Sequence, residues 1–124
     1  MPLCVVVGGL VTALAVESFT LAWTHSIEKT RWEEDWRIVS GQLVLGEARV
    51  RGSGAGMEPP AGSVLENGVW RYHASLPPQD VLRLTHSHYA AGYELCQSDR
   101  CTPLADAAPS ARDGDVIELR ACPP

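Results

Sequence analysis

The residues able to do chemistry crowd into one stretch, "TLAWTHSIEKTRWEEDWRI", residues 20–38. It sets His25, Ser26, Glu28, Lys29, Glu33, Glu34 and Asp35 among Trp23, Trp32 and Trp36. A histidine beside several carboxylates outlines an oxygen-rich metal set. Lys29, Arg31 and Arg37 are interleaved with them, however, and mixed charge of that kind is what a sheet surface carries as neutralising ion pairs. His25 and Ser26 are adjacent, so in a strand they point to opposite faces, which opposes a nucleophile–base pair. The sequence also has no G-x-S-x-G elbow.

Two other groupings invite the same question. "GSGAGM" at 52–57 is rich in glycine, but Met-Glu-Pro-Pro ends it where a phosphate loop requires Gly-Lys-Ser/Thr and a helix. Its glycines supply positive φ and bare amides, so it reads either as an anion-binding nest or as a tight crossover loop. "HSH" at 86–88 puts two imidazoles on one strand face, next to a turn and without carboxylates beside them. No complete catalytic constellation emerges. The expectation is a binding protein with no cofactor and no metal, not an enzyme.

The elements that must position these groups are strands. Phe19, Leu21, Trp23 and His25 alternate with Thr20, Ala22, Thr24 and Ser26; Glu34, Trp36 and Ile38 alternate with Asp35, Arg37 and Val39. Ala48 and Val50 alternate with Glu47, Arg49 and Arg51. Period two of this kind marks half-buried strands. The spacing predicts strands over 19–26, 32–39 and 43–51 in one sheet, with "SG" at 40–41 as a turn. "NG" at 67–68 precedes "VWRYHA", and "LPPQD" separates that from "VLRLTHS". "GYELC" and "CTPLA" flank a polar turn, "ADAAPSA" is a helical turn or a loop, and "VIELRA" is a last strand. The fold class is all-β: an antiparallel sandwich or meander of about ten short strands, since βαβ units need long crossovers.

At 124 residues the chain is expected to form one domain spanning 1–124. A formal charge of −5 argues against nucleic-acid binding, which needs a basic surface. No apolar run is long enough for a transmembrane segment. "LCVVVGGLVTALAV", residues 3–16, has the length of a signal-peptide core, yet no Lys or Arg precedes it. Its Gly-Gly between two β-branched runs reads instead as a hairpin. Cys96 and Cys101 bracket four polar residues, which suits a disulfide across a hairpin; Cys4 and Cys122 pair only if the terminal strands are neighbours. A zinc site and free buried thiols are the alternatives for these cysteines.

Taken together, "FTLAWTHSIEKTRWEEDWRI" followed by "RVRGSGAGMEPP" resembles a bacterial family of small proteins, domain of unknown function 1850. Its members carry an FTL-x-W/Y-x-HS-V/I-E-K/R strand, an EE stretch and a GAGM loop, matched here at 19–29, 33–34 and 54–57. "WRY" and the "YELC…C" stretch fit the same pattern. The resemblance implies genes beside TAXI-class TRAP solute transporters, sometimes a membrane anchor, and a two-strand lead-in before "FTL". It implies no catalytic role. In this light His25, Ser26, Glu28, Lys29 and Glu34, with Gly54, Gly56 and Met57 facing them, form a binding surface. The expected function is a non-enzymatic accessory of a TAXI-type TRAP transporter, with the permease or the substrate-binding subunit as partner. The expected place is the cell envelope, on the periplasmic side, with the cytoplasm left open. The alternative function is a small-ligand or metal-binding module built on His25, Glu28, Glu34 and the glycine loop.

Overall fold

A computed structural model describes residues 1–24, 30–51, 62–87 and 92–124. Eleven strands run through them: β1 (Leu3–Val7), β2 (Leu10–Leu14), β3 (Ser18–Thr24), β4 (Arg31–Val39), β5 (Gln42–Arg51), β6 (Val64–Glu66), β7 (Val69–His73), β8 (Leu82–Thr85), β9 (Glu94–Gln97), β10 (Arg100–Pro103) and β11 (Val116–Ala121). A single 3₁₀ turn, Leu104–Ala107, is the only helical element among the described residues. Every strand pairing is antiparallel. The strands form a four-stranded sheet, β2-β1-β11-β8, and a seven-stranded sheet, β10-β9-β3-β4-β5-β7-β6.

The hairpins follow from turn chemistry. Val7 pairs with Leu10 across Gly8-Gly9, Val39 with Gln42 across Ser40-Gly41, and Glu66 with Val69 across Asn67-Gly68. Two-residue loops need left-handed backbone to match strand twist. Ser40 and Gly41 have φ of 51° and 79°, and Asn67 and Gly68 have 50° and 77°. Residues 3–14 are therefore a hairpin, as the Gly-Gly pair predicts, and 40–41 is the turn between β4 and β5. The strand β6 goes beyond the sequence reading, because three exposed residues, Val64–Glu66, show no alternation.

The two sheets pack face to face. Leu3, Val5 and Val7 of β1 and Ile117 and Leu119 of β11 meet Phe19, Leu21, Trp36 and Leu43 of the large sheet, with Leu104 and Ala108 closing one side. Burial of these side chains, each worth about 1.5–3 kcal/mol, is the main cohesive term. Opposite Asp35 the register of β4 and β5 shifts between Glu34 and Trp36, a β-bulge that sets Gly46 and Glu47 against one residue. An added Cβ at Gly46 would meet the Asp35 carbonyl oxygen at 3.6 Å. Inward and outward alternation therefore survives on both sides of the bulge.

Both cysteine pairs are disulfides. Cys96 lies directly opposite Cys101 in the β9–β10 hairpin, with Cα atoms 4.0 Å apart. Cys4 and Cys122 join the first and last strands at 5.0 Å, and the Cys122 amide donates to the Pro2 carbonyl. The bridges close segments of 5 and 118 residues. Loop-closure entropy makes the long one worth about 5 kcal/mol and the short one about 2. Replacing Cys4 and Cys122 by serine should therefore lower the urea-unfolding free energy by about 3 kcal/mol more than replacing Cys96 and Cys101.

Candidate functional site

Strand register across the seven-stranded sheet sorts the charged and aromatic residues into two faces. On the outer face one row runs Glu94, Ala22, Glu33, Arg49, Arg71, and the next runs Cys101, Cys96, Thr20, Asp35. On the inner face one row runs Trp23, Trp32, Val50, Trp70, and the next runs Leu95, Leu21, Glu34, Ala48, Tyr72. The three consecutive carboxylates of β4 are thus divided: Glu33 and Asp35 face outward, Glu34 faces inward. They do not converge on one metal, and no group of metal-ligating residues occurs among the described residues.

The outer face is a continuous ionic lattice. Arg31 Nη1 donates to Glu94 at 2.8 Å and its Nε to Glu33 at 3.1 Å. Glu33 also accepts from Arg49 Nε at 3.2 Å and Arg51 Nε at 2.9 Å. Arg49 grips Asp35 with both terminal nitrogens, at 2.7 and 2.8 Å, and reaches Glu47 at 2.9 Å. Arg71 completes the chain on Glu47 at 2.7 Å. Burial pushes the Glu33 carboxyl upward, but hydrogen bonds from Arg51, Arg31 and Arg49 outweigh it, so its pKa falls below the usual range. Arg49 does the same for Asp35 against partial burial, helped by Thr20. Glu47 is likewise lowered by Arg49, against burial, and by Arg71. Fork-shaped guanidinium pairing suits arginine and not lysine.

The inner face has a different chemistry at its β3–β4 end. Trp23 and Trp32 lie parallel, 6° apart in plane with ring centroids at 6.2 Å, and Tyr93 tilts against Trp23 at 5.8 Å. Glu34 stands one row away, half-buried beside Leu21 and Ala48. Its Oε1 accepts from the Trp36 indole at 3.2 Å, and among the described residues no arginine pairs with it. Burial raises its pKa, with the Trp36 hydrogen bond opposing. The phenols of Tyr72 and Tyr93 are raised too, first by burial and then by the Glu34 charge. Here a carboxylate sits in an aromatic, poorly solvated setting, where such groups mark candidate sites.

Of the residues expected to form the binding surface, only Glu34 falls within the described chain. His25, Ser26, Glu28, Lys29, Gly54, Gly56 and Met57 lie outside the described residues, as does His88 of "HSH". The strand ends that lead toward two of those segments, Thr24, Arg31 and Arg51, share one register row. Sequence reading set Arg31 among these carboxylates as an ion-pair partner, but missed the tyrosines near Glu34 and the pairing of Arg49 and Arg51 with Glu33. Period-two patterning did carry a signal for both, since it put Glu34 with Trp36 and Ile38, and Arg49 with Arg51.

The family model for the Domain of unknown function (DUF1850) matches residues 19–104. The chain belongs to that family. No curated protein and no solved structure matches it. The matched range takes in the large sheet apart from Ser18, together with β8, and leaves β1, β2 and β11 outside.

Two substitutions should separate the faces. Arg49→Met takes both guanidinium hydrogen bonds from Asp35 and one each from Glu33 and Glu47, and should destabilise by about 2–4 kcal/mol at pH 7. Because those carboxylates have lowered folded pKa values, the loss should shrink as pH falls through them. Glu34→Gln should act in the opposite sense. A carboxyl with a raised folded pKa weakens the fold once ionised, so the glutamine should raise Tm at pH 7 and leave it unchanged below about pH 4. Thermal melts of both variants across pH check the pair.

Proposed function

We propose that this protein is a non-enzymatic accessory of a TAXI-type TRAP solute transporter, acting in the cell envelope by binding the permease or the substrate-binding subunit. Membership of the DUF1850 family supports the setting, through the transporter association that the sequence resemblance implies. Two disulfides suit an oxidising compartment. Among the described residues no helix is long and apolar enough to cross a membrane. The observation that carries the docking role is the aromatic end of the large sheet, where Trp23, Trp32 and Tyr93 border the Glu34 carboxylate. Aromatic anchors beside a desolvated charge are the groups that dominate binding energy at protein interfaces.

A second reading takes the same carboxylate as a ligand for a small cation or polar solute, and the raised pKa of Glu34 in its aromatic setting favours it. The two diverge in what binds. A tagged chain purified from native membranes should recover the permease or the substrate-binding subunit, and Trp32→Ala should lose most of that recovery without unfolding. Recovery of neither subunit, with a thermal shift produced by a solute or metal ion alone, would replace the docking role by the ligand role.

A further inference from the structure

The two disulfides occupy contrasting settings. Cys4 and Cys122 are 4% and 7% exposed. Cys96 is buried at 8%, but Cys101 is exposed on β10, the edge strand of the large sheet. Its hairpin turns through Ser98 and Asp99, both with left-handed φ, at 48° and 67°. Beside the bridge lies an open depression of about 330 Å³, lined by Thr20, Glu33, Gln97 and Asp99 as well as both cysteines. The Arg31 guanidinium reaches both sulfurs: Nη2 donates to Cys96 Sγ at 3.6 Å and to Cys101 Sγ at 3.5 Å. The charged groups around the pair are Arg31 and Glu33 from β4, Glu94 from β9 and Asp99 from the turn.

A cation held against a disulfide has a chemical consequence. It does little for the neutral S–S bond and much for the thiolate formed when that bond opens. Thiol–disulfide exchange is faster when the departing sulfur is a better-stabilised thiolate, and it requires access to the sulfur under attack. Cys101 offers the accessible sulfur, and Cys96 the departing one beside Arg31.

From this geometry we infer that Cys96–Cys101 is a redox-active disulfide that exchanges with the reduced dithiol of a partner protein, while Cys4–Cys122 is structural. A partner thiolate attacks Cys101 Sγ, forming an intermolecular S–S bond as the Cys96–Cys101 bond breaks. The electron pair of the broken bond stays on Cys96 Sγ, facing Arg31. The partner's second thiolate then attacks its own sulfur in the mixed disulfide and releases Cys101 as a thiolate. The partner leaves oxidised, and the cysteine pair has gained two electrons and takes up protons from solvent. Arg31 also bonds Glu33 and Glu94, so opening the bridge adds a third anion to its neighbourhood and couples cysteine redox state to the ionic lattice.

The test uses the whole oxidised chain and dithiothreitol as the dithiol probe, with each disulfide followed by differential alkylation and peptide mass spectrometry. Cys96–Cys101 should open at least about tenfold faster than Cys4–Cys122, with the β-sheet circular dichroism unchanged. Arg31→Gln should slow that opening about tenfold at constant pH. Glu94→Gln keeps the guanidinium but removes a competing carboxylate, and it should speed the opening. This opposite pair of effects is not expected from lost stability, which would speed opening in both variants. If both bridges open together, only as the chain unfolds, or if neither variant alters the rate, the inference is overturned.

Discussion

The alternation of β4 is the constraint on which everything else rests. Arg31, Glu33 and Asp35 lie on the outer face of β4, while Trp32, Glu34 and Trp36 share the inner one, with Trp36 in the core. A one-residue slip would exchange these sets, burying an arginine and two carboxylates and exposing two tryptophans. Neither face tolerates that exchange. The outer carboxylates need the guanidinium groups that Arg49, Arg51 and Arg31 supply at about 3 Å, and Trp36 is needed against Phe19 and Leu43 in the core. The bulge at Gly46–Glu47 absorbs the one irregularity without disturbing either set.

That division gives neighbouring residues opposite electrostatic fates. Glu33 and Glu34 are consecutive, and burial penalises the charge on both. Three arginines reverse the penalty for Glu33, whereas for Glu34 an indole N–H opposes it without reversing it. Ion pairing and aromatic packing therefore occupy different faces of one sheet. The lattice, the Cys96–Cys101 bridge and Thr20 occupy the outer face, and the aromatic rows occupy the inner one. The strands outside the matched family range, β1, β2 and β11, build most of the smaller sheet that closes the core, and the Cys4–Cys122 bridge ties β1 to the residue after its neighbour β11.

Most of the architecture was legible because it depends on local rules. Gly8-Gly9, Ser40-Gly41 and Asn67-Gly68 announce two-residue turns, and period-two alternation names the faces of β3, β4 and β5. The Cys96–Cys101 pairing follows from four residues that a hairpin accommodates. What escaped depends on partners distant in sequence. Arg31 meets Cys96 and Cys101 across 65 and 70 residues, and Tyr72 comes near Glu34 only through the register of β5 and β7. The strand β6 is too short to show a period. Of the carboxylates read as an oxygen-rich metal set, Glu33 and Asp35 lie on one face and Glu34 on the other.

One strand that holds adjacent carboxylates in opposed environments should show it directly in their titration. Carbon-detected NMR of the side-chain carboxyls across a pH titration would follow Glu33, Glu34 and Asp35 individually in the folded protein. The structure predicts that Glu34 titrates above the ordinary glutamate range while Glu33 and Asp35 titrate below theirs. Three carboxyls titrating together at ordinary values, or Glu34 titrating below Glu33, would contradict it.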